Sequence, residues 1–424
     1  MTDRDVAVQP AQPAESKAER GIQALWAWIQ RELHSDAAKT ALGAWLVLRL
    51  YCTLLGILVY NSAASFFPTA IRQVFKGHVP ACPNYFSSAT GPNGALAGVW
   101  LRWDTPWYVG IAAHGYTCYG STAFMPLYPM MIRLLSFPLG GSDVAAALLI
   151  SSIASLVVFY LLYRLARELT NSTATARASV IAMALYPVSF FLMAGYTEAL
   201  FLALAIGSYL AVRRSAWLAA GVLAALATLT RLQGLLLLVP LAFELWLNHR
   251  NDLRRWLVWL SLALAPLALA LYMLSIWLTL RIFPPWEPFN TVWHLHYAWP
   301  WQGITQDLSV LITHPDIGAL TSFRLLDPLT ALIFLVCTVV AFRRLNPPLA
   351  AFMAIMWLSS VIKVTAPGET TSISRYMLSL FPAFIILGLA FAHWPRFAKL
   401  GAMLISLLLL SSYLFIFLIW GWVA

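Results

Sequence analysis

About eleven apolar stretches, separated by short polar turns or by two long mixed segments, set the pattern of this chain. They lie near 41–60, 143–163, 174–192, 196–212, 215–230, 234–248, 256–279, 326–342, 347–362, 376–392 and 400–422. A helix needs roughly 20 apolar residues to cross the hydrocarbon core of a bilayer, and most of these stretches approach that length. The pattern predicts an all-α polytopic membrane protein with about eleven transmembrane helices. The third and fourth stretches are the least separated and read also as a re-entrant pair. Residues 1–20 are polar and low in apolar content, which predicts a disordered tail. Over 21–40, Ile22, Leu25, Trp26, Ile29 and Leu33 recur at helical spacing, as expected of an amphipathic helix lying at the membrane interface. A single transmembrane domain then runs over 41–424, with long loops at 61–142 and 280–325.

Composition narrows the class. The chain is 61% hydrophobic and only 10% charged, against about 25% charged in soluble domains. A net charge of +10 suggests nucleic acid in a soluble protein, but no nucleic-acid module is present. Basic pairs instead sit in short turns, at Arg164 and Arg167, Arg213-Arg214, Arg254-Arg255 and Arg343-Arg344. The positive-inside rule assigns those turns to the cytoplasm. The N-terminus is then cytoplasmic, and an odd number of spans leaves the C-terminus outside. Both long, aromatic and Pro-rich loops face outward, so the working face of this multi-pass plasma (inner) membrane protein is expected to be extracytoplasmic. The first 20 residues have no signal-peptide pattern. Cys52 and Cys337 fall within apolar stretches and read as small buried hydrophobes. Cys82 and Cys118 share the first outer loop, where a disulfide is as open as two free thiols. The sequence has no Walker A motif and no Gly-x-Gly-x-x-Gly after a strand, which argues against nucleotide sites of those types.

Candidate chemistry centres on Arg102-Trp103-Asp104-Thr105-Pro106-Trp107-Tyr108 in the first outer loop. With only 17 Asp and Glu in 424 residues, a carboxylate set among large aromatics needs a reason. Asp followed by Pro in the first turn is a helix-start signal, so Asp104 reads as an N-cap worth about 1 kcal/mol. It reads equally as a general base for an incoming hydroxyl. Trp103, Trp107 and Tyr108 would lower the local polarity, while Arg102 would oppose the effect of that on the acid. Arg231, Lys363 and Arg375 stand at the outer ends of apolar stretches. There they either contact a phosphate or snorkel to the interface. Glu198 opens the fourth stretch, where a helix dipole favours it, and at the membrane edge it calls for a partner such as Arg231. Arg49, inside the first stretch, has no evident partner. His294 and His296 form a His-x-His near Glu287, weak evidence for a metal.

The motifs carry a resemblance. Arg102-Trp103-Asp104-x-x-Trp107-Tyr108-x-x-Ile111-Ala112-x-x-Gly115-Tyr116, followed by Phe124-Met125-Pro126-Leu127-Tyr128-Pro129, resembles the PIG-V family. That family comprises membrane mannosyltransferases that add the second mannose to GPI anchors, with bacterial relatives. Tyr196-Thr197-Glu198, Arg231-Leu232-Gln233-Gly234 and Ser374-Arg375-Tyr376 extend the match over about 100–382. Gln233 stands where Asn is expected, and Met125 where Phe is more usual. The resemblance implies a GT-C glycosyltransferase fold and an inverting transfer of mannose, or a related hexose, from a polyprenyl-phosphate sugar. Asp104 would be the catalytic base; Arg231, Arg375 and Lys363 would bind the donor phosphate. Arg102, Trp103, Trp107, Tyr108, Glu198, Tyr128 and His294 would line the sugar or acceptor. The acceptor would be a glycolipid, a lipid-linked glycan or a protein, reached among membrane lipids, with no metal or other cofactor. Two rivals are a secondary transporter and a silent binding scaffold. The polar groups form one outer layer with no visible repeat, which counts against transport.

Overall fold

The computed structural model describes Trp26 and residues 30–62, 92–313, 323–365, 368 and 370–423. All eleven apolar stretches contain helix. Among the described residues five helices are long and apolar enough to cross a membrane: Asp36–Ser62, Asp143–Thr170, Trp256–Leu280, Leu325–Arg344 and Arg396–Leu418. The remainder are shorter, among them Thr173–Ala184, Glu198–Arg213, Trp217–Thr230, Leu238–Asn248, Pro347–Val361 and Phe381–His393. The chain is therefore a helical, multi-span membrane protein; among the described residues all eleven apolar stretches contain helix, and five helices reach spanning length.

The shortening has local causes. The third stretch stops at Ala184, ahead of Tyr186-Pro187, because a residue before Pro is pushed out of the helical region. A 3-10 turn over Ser189–Leu192 and Gly195 then lead into Glu198–Arg213. Every residue from 188 to 202 is buried. Irregular backbone at membrane depth is tolerated only when enclosed by protein, so this break lies inside the bundle and carries Glu198 with it. The interfacial helix expected over 21–40 is described only in part: residues 30–33 are helical, and Asp36 already opens the first spanning helix. Its Glu32 and Asp36 pair with Arg164 at 2.9 Å and Arg177 at 3.0 Å. The expected tail over 1–20 lies outside the described residues.

Both long loops are built, where described, from short elements. The first holds helices Thr105–His114 and Leu127–Ser136, and the second holds Gln302–Thr313. One small β-ladder accompanies the helices. Strand β1, Leu295–Tyr297, pairs antiparallel with β2, Lys363–Thr365, with Tyr297 opposite Lys363. Three-residue strands are too short to show an alternating pattern in the sequence. This ladder fastens the second long loop to the segment that leads to Arg375. Cys52 and Cys337 are buried and free, as expected, and Cys118 is disulfide-bonded; Cys82 lies outside the described residues. Arg49 donates to the Leu148 carbonyl at 3.5 Å, a lipid-depth partner the sequence did not indicate.

Candidate active site

Asp104 precedes the helix Thr105–His114, yet its carboxylate makes no capping bond. It turns instead to Arg375, whose Nη1 lies 2.8 Å from Asp104 Oδ2. The capping reading of Asp104 is thereby set aside. Its backbone is fixed by Tyr196: the Tyr196 hydroxyl accepts from the Asp104 N–H at 3.2 Å and donates to the Arg102 carbonyl at 3.2 Å. Just upstream, Trp103 sits in the left-handed region at φ 52°, a conformation costing of order 1–3 kcal/mol in a non-glycine residue. Gly195 allows this contact, because a Cβ there would stand 2.8 Å from the Thr105 methyl.

Arg375 bridges two acids. Its Nε lies 2.9 Å from Glu198 Oε1, and that same oxygen pairs with Arg231. Arg231 also donates to the Thr197 hydroxyl at 3.4 Å. Its position depends on Gly234, since a Cβ at 234 would collide with the Ala227 and Thr228 backbone at 2.3–2.5 Å. The Gly234 N–H in turn closes on the Arg231 carbonyl at 2.8 Å. Burial disfavours a charged Arg375, but the carboxylates of Asp104 and Glu198 outweigh it and hold the guanidinium well above its ordinary pKa. Glu198 is fully buried and Arg231 nearly so, whereas the Asp104 side chain keeps 23% exposure. Asp104 is the open member of the cluster.

The three cations singled out from the sequence meet at one ring. Arg231, Arg375 and Lys363 lie 5.5, 5.8 and 5.2 Å from the Tyr376 ring centroid, within cation–π range. Lys363 makes no ion pair with any described carboxylate. Asp104 and Glu198 balance the two arginines, so the cluster carries one excess positive charge through Lys363. Such a surplus suits an anion.

The other predicted residues divide. Tyr108 is buried, with its hydroxyl 3.4 Å from that of Thr197, at the edge of the cluster. Trp107 stacks on Phe124 at 5.3 Å and tilts against Trp293 at 5.5 Å, forming an aromatic wall. Arg102 points elsewhere: it donates to the carbonyls of Leu418, Gly98 and Leu101 and covers the Trp420 ring at 5.0 Å. Trp103 donates to the Gly421 carbonyl at 3.2 Å and packs on Trp420 and Trp422. Tyr128 is fully buried and bonds Ala147 and Ser151. His294 is exposed, and the second loop reaches the aromatic wall through Trp293 instead. Among the described residues no group of three or more His, Cys, Asp or Glu is placed to hold a metal. The sequence reading gave no role to Tyr196, Thr197, Tyr376 or Asp327. The signal for Asp327 was present, since an acid inside an apolar stretch is a functional candidate by default.

A multi-span helical membrane protein with a buried mixed-charge cluster open at one carboxylate is the class these observations define. The chain belongs to the mannosyltransferase (PIG-V) family, whose model matches residues 43–279, more than half of its length. It is 31% identical over 141 residues to GPI mannosyltransferase 2 of Schizosaccharomyces pombe, covering 32% of this chain and 30% of that protein. It is 33% identical over 150 residues to GPI alpha-1,6-mannosyltransferase 2 of Rattus norvegicus, covering 33% and 30%. The chain thus spans about 30% of the length of these curated relatives. Among solved structures, ArnT from Cupriavidus metallidurans bound to undecaprenyl phosphate superposes on 82% of this chain and 63% of its own. That likeness has 17% sequence identity and a TM-score of 0.47.

Proposed function

We propose that this protein is an inverting glycosyltransferase of the GT-C type. It moves mannose, or a related hexose, from a polyprenyl-phosphate sugar to a hydroxyl acceptor on the extracytoplasmic face. Family membership supports the reaction class, and the observation that carries the site assignment is the setting of Asp104. One of its oxygens is held by Arg375, while Oδ1 has no hydrogen bond from the described residues. A base so oriented has a free oxygen for a substrate hydroxyl.

The acceptor hydroxyl gives its proton to Asp104 as its oxygen bonds to the anomeric carbon. The bond from that carbon to the phosphate oxygen breaks in the same displacement, so the configuration inverts. Negative charge grows on the departing lipid phosphate, where cations stabilise it. Lys363, without a carboxylate partner among the described residues, is the first contact, and Arg231 and Arg375 complete the positive wall around Tyr376. Trp107 and Tyr108 close the acceptor side. A glycolipid, a lipid-linked glycan or a protein hydroxyl would meet the same demand. Purified protein given polyprenyl-phosphate mannose and a panel of such acceptors is the test: transfer that Asp104→Asn abolishes is expected. Transfer by Asp104→Asn at the wild-type rate overturns the assignment, and no transfer by the wild type overturns the reaction.

A further inference from the structure

We propose that Asp327 is a positioning residue for this site: it fixes the peptide that carries Arg375 and so sets where that guanidinium meets Asp104. This rests on the reading of the Asp104 cluster as the active site. Asp327 is fully buried near the start of the helix Phe323–Arg344, where an isolated carboxylate is expensive. It is not isolated. Its Oδ1 accepts from the Ser374 N–H at 2.8 Å, and its Oδ2 accepts from the Ile373 N–H at 2.9 Å and the Thr370 hydroxyl at 3.3 Å. Ser372, in the left-handed region at φ 55°, turns the chain so that both amides face the acid. The Ser374 carbonyl is held from the other side by the Tyr186 hydroxyl at 2.8 Å. The peptide groups immediately before Arg375 are therefore clamped at N–H and C=O alike.

The clamp reaches further. Thr370 also bonds Asp307, through its hydroxyl and through its N–H at 3.3 Å, and Asp307 lies in the second-loop helix Gln302–Thr313. Asp327 thus links a spanning helix, the second long loop and the Arg375 segment. Why a carboxylate stands there follows from the donors. Each oxygen faces a different N–H, and only a group with two acceptor oxygens serves both; an amide would turn its own NH2 onto one of them.

The test uses the full chain in lipid nanodiscs, with Asp327→Asn, Arg375→Lys, the double variant and Tyr186→Phe. Kinetics with polyprenyl-phosphate mannose are read beside hydrogen exchange of the 370–378 segment and the melting temperature. Small misplacements of an orienting group lower kcat by up to about 10²-fold, so Asp327→Asn is expected to lose roughly 10- to 100-fold in kcat with little change in KM. Exchange should rise at residues 373–376 and not across the bundle. In the Arg375→Lys background Asp327→Asn should add little, because coupled residues are non-additive. Tyr186→Phe should act in the same direction with a smaller loss, which keeps the idea testable if Asp327→Asn folds poorly. Full additivity with Arg375→Lys, unchanged kcat, or exchange rising throughout the bundle would each overturn the proposal. A wild type without transfer activity would instead overturn the proposed reaction. The exchange data then decide the positioning role alone, selective loosening at 373–376 sustaining it and unchanged exchange refuting it.

Discussion

Two buried glutamates, toward opposite ends of the same part of the bundle, differ in how fully their oxygens are used. Glu244 is 2% exposed and Glu198 0%, so burial does not distinguish them. Glu244 accepts from Tyr209 at 2.9 Å, from Asn248 at 2.8 Å and from Asn346 at 3.5 Å, with Arg213 at 3.9 Å. Its hydrogen-bond donors are neutral, with one arginine at the edge of ion-pair range, and both oxygens are used. Glu198 concentrates two arginines on Oε1 and leaves Oε2 without a hydrogen bond. Around it stand a half-open carboxylate, Asp104, and a cation, Lys363, that pairs with no carboxylate among the described residues. A saturated polar network rigidifies, whereas an unsaturated one of mixed charge has capacity left for a substrate. The state of satisfaction, rather than depth, marks the site.

The contrast has consequences of graded size. Asp104→Asn should lower kcat by about 10²–10⁴-fold, the usual range for a lost general base, with the protein still folded but at a lower melting temperature because buried Arg375 loses one of its two carboxylates; a modest loss of kcat would move the base elsewhere. Glu198→Gln strips two buried guanidiniums of their shared partner and should destabilise by about 3–5 kcal/mol, read by thermal unfolding in detergent, besides impairing turnover. Lys363→Met should raise KM for the lipid-phosphate donor by roughly tenfold with kcat little altered, the signature of lost uniform binding. Glu244→Gln should cost only about 1–2 kcal/mol of stability while leaving kcat within about twofold. A kcat collapse there would erase the distinction between the two glutamates. Smallest of all, Asp36→Asn breaks the exposed pair with Arg177 and should change stability by less than about 1 kcal/mol.

Much of the cluster is legible in the sequence for one reason. Glu198, Arg231 and Arg375 are charges at the ends of apolar stretches, where charge is expensive and so demands partners. The Glu198–Arg231 pairing follows from that argument and is present. What adjacency suggests is less dependable. Arg102 and Trp103 flank Asp104 in the chain but face the C-terminal segment, because the left-handed turn at Trp103 sends neighbouring side chains in different directions. Nor does the sequence show that Arg375, 271 positions from Asp104 by their numbers, meets it, since that contact is tertiary. The β1–β2 ladder leaves no periodic trace, and the span lengths depend on breaks near Pro187 and Gly234 that interrupt hydropathy only slightly.

The grip of Arg102 and Trp103 on the turn that follows the helix Arg396–Leu418 bears on biogenesis. The carbonyls they bind, at Leu418 and Gly421, emerge from the ribosome 316 and 318 positions after them. Until those residues have been made, the segment bearing Asp104 lacks these two contacts. The conformation around Asp104 should therefore set only after the helix Arg396–Leu418 has been inserted.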